Sequence, residues 1–299
     1  MNPWEELNRQ LEQGSFRATA RVISLIENEA EGYRHFLENL SFPAARVVGI
    51  TGPPGAGKST LADALISELI SRNHKVAVLC VDPSSPFNMG ALLGDRIRMS
   101  SWYNHPRVFI RSLATRGSLG GLHPKIIEIT DVLKAAGFDY ILVETVGVGQ
   151  TEIEIAGLAD TTVVVLVPEA GDEVQAMKAG LMEIADLFVV NKSDRPGADT
   201  FIRNLRLMLT PAFNAAKHGT PVLKTVSTRQ LGIEELFRQI DNHRQQPAGK
   251  RQWLLAEKAF QLIQHEKMKG FDRNMLKEKI EAHADDPDFN VYRFVKAFL

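Results

Sequence analysis

The sequence predicts an α/β fold with a mostly parallel central sheet flanked by helices, and with helical extensions at its N- and C-terminal ends. Three observations predict this fold. Short β-branched runs alternate with amphipathic stretches from residue 46 onwards. Several runs, such as TTVVVLV at residues 161–167, are apolar on both alternations, as in strands covered on both faces. A glycine-rich segment follows the first run, which is typical of a phosphate-binding loop.

The first 45 residues have the periodicity of helices. Trp4, Leu7 and Leu11 recur at three- and four-residue spacing, which places them on one helix face. Gly14 separates this helix from later periodic stretches, and Pro43 ends the pattern.

Beyond residue 46 the alternation predicts parallel strands joined by right-handed crossovers. The predicted strands are Val47–Thr51, Val76–Val81, Val108–Arg111, Tyr140–Glu144, Thr162–Val167, Leu187–Asn191 and Val222–Val226. The predicted helices are Lys58–Arg72, His123–Ala136, Thr151–Leu158, Glu173–Ile184, Asp199–Ala215 and Ile233–His243. The pattern is lost at Gln245–Gly249, and helical periodicity returns after it. We therefore expect an N-terminal helical extension (1–45), a central domain (46–245) and a C-terminal helical segment (246–299).

Composition excludes several classes of protein. The chain has 35 Lys and Arg residues against 36 Asp and Glu residues, without the basic excess of a nucleic-acid binder. No apolar run reaches the ~20 residues that span a bilayer, and the polar, acidic N-terminus differs from a secretory signal. The single cysteine, Cys80, fits a reducing, cytoplasmic location. The eight histidines form no cluster with metal-ligand spacing.

A phosphate loop is the sharpest signal in the sequence. The segment GPPGAGKS at residues 52–59 fits the pattern G-x-x-x-x-G-K-[ST], with a predicted strand before it and a predicted helix after it. Glycines let several backbone N–H groups point at one phosphate, and the helix adds its positive N-terminal end. Lys58 supplies a charge for the β- and γ-phosphates, and Ser59 offers a hydroxyl to Mg²⁺. The candidate nucleotide-binding residues are Gly52, Pro53, Gly55, Ala56, Gly57, Lys58, Ser59 and Thr60.

A second motif predicts which base is bound. Asn191-Lys192-Ser193-Asp194 follows a buried strand and fits the pattern N-K-x-D. A carboxylate at Asp194 can accept from guanine N1–H and the exocyclic amine, whereas adenine would leave it unpaired. Asn191 would brace the loop, and the Lys192 stem would lie over the base. Ser227 and Thr228 follow another predicted strand and are weaker candidates for completing the pocket through backbone groups.

Acidic residues at predicted strand ends are candidates for Mg²⁺ and switch functions. Asp82 and Glu144 each end a strand, and Asp95 lies in the loop LGDRIRM. A carboxylate in such a place can hold Mg²⁺ directly or through water, although strand-end acids also commonly cap turns. Glu144 stands in E-x-x-G, where small GTPases have aspartate in D-x-x-G. Arg98 or Arg96 could supply transition-state charge, but a solvated loop arginine is an equally good explanation.

The joined motifs resemble those of the MeaB/ArgK family of G proteins over residues 15–270. They are GPPGAGKST, VDPSSP, LGDRIRM, VETVGVGQTE, PEAGDEVQAMKAGLMEIAD and NKSD. The resemblance implies a Mg²⁺-dependent GTPase that uses GTP and GDP. It further implies a chaperone of adenosylcobalamin-dependent acyl-CoA mutases, especially methylmalonyl-CoA mutase, that gates cofactor loading.

The resemblance also implies roles for particular residues. Lys58, Asp95 and Glu144 would be catalytic, with the loop residue Arg98 as the candidate arginine finger named above, and Ser59, Asp82 and Glu144 would hold Mg²⁺. A switch that passes the nucleotide state to the mutase would contain Gly171, Asp172, Gln175 and Lys178. The C-terminal segment would make the protein a homodimer.

Two alternatives remain open from the sequence. Older descriptions of the family name a kinase of a lysine/arginine/ornithine periplasmic binding protein, although the guanine motif is unusual for a kinase and no H-R-D or D-F-G set is present. A nucleotide-dependent scaffold without relevant turnover is the other alternative.

Overall fold

Parallel strands form the centre of the computed structural model, which describes residues 3–82, 99–115, 122–145, 151–170, 182, 184–209, 219–243, 248–283 and 288–298. Seven strands pair in the order β3-β2-β4-β1-β5-β6-β7, and every pair is parallel. Their bounds are β1 Arg46–Thr51, β2 Val76–Asp82, β3 Val108–Ala114, β4 Tyr140–Glu144, β5 Thr161–Leu166, β6 Leu187–Val190 and β7 Val222–Lys224. The predicted α/β fold is confirmed.

The helices lie before, between and after these strands. They are α1 Pro3–Glu12, α2 Phe16–Glu27, α3 Tyr33–Glu38, α4 Lys58–Ser71, α5 Ile126–Ala135, α6 Thr151–Leu158, α7 Ala198–Met208, α8 Ile233–Asn242, α9 Ala248–Lys267, α10 Arg273–Glu281 and α11 Val291–Lys296. Single 3₁₀ turns occur at Ser100–Trp102, Pro168–Ala170 and Ser227–Arg229. Within the described residues, no helix is long and apolar enough to cross a membrane.

The observed boundaries differ from the predicted ones for local reasons. Helix α5 begins at Ile126 instead of His123, because Pro124 disfavours helical backbone at the residue before it and a turn precedes the helix. Strand β7 ends at Lys224 instead of Val226, because the chain turns into the 3₁₀ segment at Ser227. Of the predicted helix Glu173–Ile184, only residues 182 and 184 are described, and both are helical.

The register brings the carboxyl ends of neighbouring strands to one edge of the sheet. Ile50 in β1 pairs with Glu144 in β4, and Thr51 pairs with Val164 in β5. Val190 in β6 pairs with Lys224 in β7. The loops that follow β1, β4, β6 and β7 therefore meet at the edge where open α/β sheets bind ligands.

The two faces of the sheet are covered by different helices. On one face, α4 and α8 pack on the sheet through a buried cluster that contains Leu65 and Leu236. On the other face, the N-terminal helices share a buried cluster with the sheet and α5: Leu11 and Ile23 belong to the same cluster as Phe138. The N-terminal helices therefore contribute to the main core.

The chain divides into two compact units, residues 1–254 and residues 255–299. The second unit comprises the end of α9 with α10 and α11. Its aromatic residues pack locally: the Phe294 and Phe298 ring centroids lie 5.0 Å apart, and those of Phe271 and Phe298 lie 5.7 Å apart. Phe260 and Tyr292 are exposed. The three segments expected from the sequence remain a prediction.

Candidate functional site

A tight glycine loop joins β1 to α4. Gly52, Gly55 and Gly57 have φ angles of 140°, 76° and 88°, in the region that favours glycine. A Cβ atom on Gly52 would lie 2.1 Å from the Val165 carbonyl oxygen, and one on Gly57 would lie 2.5 Å from Asn191 Nδ2. The loop can therefore approach β5 and Asn191 this closely only with glycine at these positions.

Lys58 crosses this loop from the first position of α4. Its side chain is buried, and Nζ donates hydrogen bonds to the carbonyl oxygens of Gly52 at 2.9 Å and Pro53 at 3.1 Å. The ammonium group and the N-terminus of α4 thus place positive charge on the same loop. Such an arrangement binds phosphate groups.

Ser59 in the first turn of α4 meets Glu144 at the end of β4, at the same edge of the sheet. The Ser59 hydroxyl donates to Glu144 Oε1 at 2.6 Å, and both residues are buried. Behind them the Thr145 hydroxyl donates to the Thr51 hydroxyl at 2.9 Å, which ties the ends of β1 and β4. Hydroxyl and carboxylate oxygens are the ligands that Mg²⁺ prefers, so this pair fits Mg²⁺.

The third predicted metal residue is only partly described. Asp82 is the last residue of β2, and the structure describes its backbone but not its side chain. Among the residues that the structure describes, no group of three or more His, Cys, Asp and Glu side chains could hold a metal. A site built on one hydroxyl and one carboxylate matches the way Mg²⁺ usually binds, with substrate phosphates and water completing its shell.

Asn191 connects the phosphate loop to the segment after β7. Its buried amide donates from Nδ2 to the Ala56 carbonyl oxygen at 3.1 Å. Its Oδ1 accepts from the Thr225 hydroxyl at 3.1 Å, and from the Ser227 backbone N–H at 3.2 Å and hydroxyl at 2.8 Å. Asn191 therefore holds three loops together by satisfying buried polar groups.

The remaining residues of the N-K-x-D motif lie around the mouth of this site. Lys192 has a left-handed backbone, with φ at 54°, and its Nζ donates to the Gly55 carbonyl oxygen at 2.7 Å. Asp194 is exposed, and its Oδ2 accepts from Arg229 Nη2 at 2.6 Å. The motif thus spans from the phosphate loop to the 3₁₀ turn at Ser227–Arg229.

The weaker base-pocket candidates are in the same neighbourhood. Ser227 is buried against Asn191, whereas Thr228 is exposed within the 3₁₀ turn. Thr60 is half-buried in the first turn of α4, and Ala56 is fully buried. The structure therefore gathers Ser227 with the phosphate loop through Asn191 and places Thr228 at the surface.

Arg229 and Thr225 are the site residues that sequence reasoning missed. Both pair with the N-K-x-D motif across more than 30 positions of sequence. Thr225 lies within the last predicted strand and Arg229 just after it. A local pattern does not reveal which side chains reach across to another loop.

Several candidate residues lie outside the described part of the chain. These are Asp95, Arg98, Gly171, Asp172, Gln175 and Lys178.

Next to the N-K-x-D motif, the Arg195 guanidinium donates to Glu169 at 2.6 Å, and this hydrogen bond lowers the pKa of the Glu169 carboxyl below its ordinary value. Arg195 therefore pairs away from Asp194 although it is the next residue in sequence.

The chain is similar to known proteins, several of which carry GTPase names. Residues 19–283 match the model of a family described as methylmalonyl-CoA mutase-associated GTPase MeaB. A Pyrococcus abyssi protein that carries a GTPase name is 47% identical over 95% of this chain and 89% of its own length. A Geobacillus kaustophilus protein named fused isobutyryl-CoA mutase is 41% identical over 68% of this chain and 20% of its own length.

A solved structure described as LAO/AO transport system kinase superposes with a TM-score of 0.65. The match covers 100% of this chain and 97% of that chain, at 24% sequence identity. At this identity the likeness concerns the fold, and it extends over the whole chain.

Proposed function

Because this chain belongs to the family of methylmalonyl-CoA mutase-associated GTPases, we propose that it is a Mg²⁺-dependent GTPase that acts as a chaperone for an adenosylcobalamin-dependent acyl-CoA mutase. The reaction is hydrolysis of GTP to GDP and phosphate. Methylmalonyl-CoA mutase is the partner that the family description favours. The observation that carries the nucleotide part is the contact of Asn191 with both the phosphate loop and the segment beside Asp194.

The phosphate end of the site supports binding of a triphosphate. The loop that begins at Gly52 and the N-terminus of α4 direct backbone donors to one place. Lys58 lies across that loop, so its ammonium group can leave the carbonyl oxygens of Gly52 and Pro53 to hold the β- and γ-phosphates.

Ser59 and Glu144 are the residues that would hold Mg²⁺. Mg²⁺, when bound beside the phosphates, neutralises the charge that develops on them during transfer. The 2.6 Å contact between the two side chains keeps both oxygens at the edge that the phosphates share. Asp82 would contribute from the end of β2. Asp95 and Arg98 are our further candidates for the catalytic step.

The base end of the site supports guanine. Asp194 presents an exposed carboxylate, and Lys192, two residues before it, contacts the phosphate loop at Gly55. A carboxylate that pairs with N1–H and the exocyclic amine rejects adenine, because adenine leaves it without a donor. Asn191 keeps these two ends of the site at a fixed separation.

The mutase part of the proposal is supported by a relative in which the two proteins are one chain. The Geobacillus kaustophilus relative is named as a fused mutase, and this chain corresponds to 20% of its length. Fusion holds two domains at high effective concentration, which is favourable where they act on each other. We infer that this chain takes part in the same partnership, in the cytoplasm.

Two further parts of the proposal concern a switch that reads the nucleotide state and a segment for dimerisation. Gly171, Asp172, Gln175 and Lys178 would form the switch that contacts the mutase. The segment 246–299 would join two copies of the chain into a homodimer. Both follow from the family resemblance.

The experiment that tests this function is a pull-down of purified acyl-CoA mutases with the full chain, loaded either with GDP or with a non-hydrolysable GTP analogue. We expect one mutase to be retained in a nucleotide-dependent manner, and its addition to raise the rate of GTP hydrolysis. Retention of no mutase in either state would contradict the chaperone function. Transfer of the γ-phosphate to a periplasmic binding protein, in place of release as free phosphate, would favour the kinase alternative.

A further inference from the structure

We propose that Arg229 is a specificity-determining residue that positions the Asp194 carboxylate for the donor edge of guanine. Arg229 Nη2 donates to Asp194 Oδ2 at 2.6 Å. The inference rests on the proposed function, because it concerns the base pocket of the same site. It adds a residue outside the N-K-x-D motif to the recognition of the base.

The backbone that carries Arg229 is held on both sides. Arg229 ends the single 3₁₀ turn that begins at Ser227, and its N–H donates to the Val226 carbonyl oxygen at 2.9 Å. Val226 forms an antiparallel bridge with Leu231, which closes the turn. The Arg229 side chain therefore extends from a turn whose two ends are held together by hydrogen bonds.

The Asp194–Arg229 pair lies furthest along the chain among several hydrogen-bonded contacts between the same two segments. Asn191 Oδ1 accepts from the Ser227 N–H and hydroxyl, and Ser193 donates from both its N–H and its hydroxyl to the Thr225 carbonyl oxygen at 3.0 Å. These contacts fix the two backbones relative to each other. What the Asp194–Arg229 pair adds is the orientation of the Asp194 side chain.

The exposure of the pair indicates that folding is not its main purpose. The Asp194 and Arg229 side chains are 42% and 56% exposed, and ion pairs exposed to this degree contribute little to stability. A base that covers them would remove water from the pair and strengthen it. The pair thus becomes important when the nucleotide is bound.

The chemistry of guanine explains why the orientation matters. Guanine presents N1–H and its 2-amino group side by side, so the carboxylate must lie in the plane of the base to accept from both. Each carboxylate oxygen has two lone pairs, and Oδ2 can keep Arg229 while it accepts from the base. A planar guanidinium holds a carboxylate plane better than an ammonium group does.

Arg195 offers a matched control for this role. It is an exposed arginine that donates to a carboxylate at the same 2.6 Å, but that carboxylate belongs to Glu169. Arg195 directly follows Asp194 in sequence, so its removal changes the local charge in the same way. Of these two arginines, it is Arg229 that contacts the carboxylate of Asp194.

The test measures the affinities of the full chain for GDP and for inosine diphosphate, which lacks the 2-amino group. We expect Arg229→Ala to weaken GDP binding about tenfold and inosine diphosphate binding less, so that the ratio of the two affinities falls. Arg229→Lys keeps the charge but loses the planar donors, and we expect it to recover GDP affinity only in part. Arg195→Ala should leave both affinities within about twofold.

Making the same substitution in a second variant, Asp194→Asn, separates positioning of the carboxylate from a general effect on the loop. In Asp194→Asn, we expect Arg229→Ala to change the affinity for xanthosine diphosphate by less than about twofold, because the carboxylate that it orients is gone. An equal loss in both backgrounds would overturn the inference, and so would tighter GDP binding by Arg229→Ala. Should Arg229→Ala fail to fold, the same comparison with Arg229→Lys decides.

The same titrations distinguish this inference from the function on which it rests. Wild-type protein that binds GDP no more tightly than ADP would contradict the proposed function itself. Wild-type protein that prefers GDP, together with an unchanged ratio of GDP to inosine diphosphate affinity in Arg229→Ala, would overturn only the role of Arg229.

Discussion

At the scale of single residues, the site depends on a few buried polar side chains that are hydrogen-bonded to neighbouring loops and strands. Lys58, Ser59, Glu144 and Asn191 are all buried, and each makes hydrogen bonds to another loop or strand of the site. Buried polar groups of this kind are costly unless they are paired. The pairing therefore fixes their positions before any nucleotide binds.

Removing the charge of Lys58 should weaken nucleotide binding and abolish turnover. In Lys58→Ala we expect GTP affinity to fall about 10- to 100-fold, because charge-assisted hydrogen bonds to phosphate are lost. The measurement is calorimetric titration together with release of free phosphate. Hydrolysis of GTP at the wild-type rate by this variant would contradict the role of Lys58.

Changing the base-reading carboxylate should change the preferred base. Asp194→Asn presents an amide that can donate to the 2-oxo group of xanthine, so we expect GDP affinity to fall at least about 100-fold and xanthosine diphosphate affinity to rise. Competition between the two nucleotides for the variant measures this exchange. Unchanged affinity for GDP would show that Asp194 does not read the base.

At the scale of elements, the glycine loop is fixed by how closely β1 approaches β5. Gly52→Ala should lower the free energy of unfolding by about 3 kcal/mol or more, since its Cβ meets the Val165 carbonyl oxygen and its φ angle is positive. Gly137→Ala is the matched control, with a positive φ angle but no atom within 4 Å, and we expect it to cost about 1 kcal/mol. Equal losses in urea denaturation would contradict the close approach.

The sequence predicted the elements well because their signals are local. All seven predicted strands are present, and the helix at Lys58 begins where the phosphate loop predicted it. The strand order and the contact between Asp194 and Arg229 were not predictable in this way. Both depend on packing between segments far apart in sequence, which neither periodicity nor motif spacing records.

At the scale of the whole molecule, the first compact unit depends on the N-terminal helices as well as on the sheet. Leu11 in α1 and Ile23 in α2 are fully buried in the cluster that also contains Phe138. Sequence periodicity predicted these helices, but their share in the main core follows only from the tertiary structure. We therefore expect the helices and the sheet to unfold together.

A pair of leucine variants tests this cooperation. Leu11→Ala should lower the free energy of unfolding of the whole unit by about 3 kcal/mol, whereas Leu207→Ala, at a position that is 60% exposed, should cost less than about 0.5 kcal/mol. Hydrogen exchange locates the effect. Faster exchange in α1 alone, with β1 unchanged in Leu11→Ala, would show that the helices unfold separately.

We propose above all that the loop at Gly52 binds the triphosphate of GTP and that Asp194 selects guanine. The most direct measurement is calorimetric titration of the wild-type chain, in Mg²⁺, with non-hydrolysable analogues of GTP and ATP. We expect the GTP analogue to bind at least about 1,000-fold more tightly, and Lys58→Ala to weaken this binding. Equal or tighter binding of the ATP analogue would contradict this proposal.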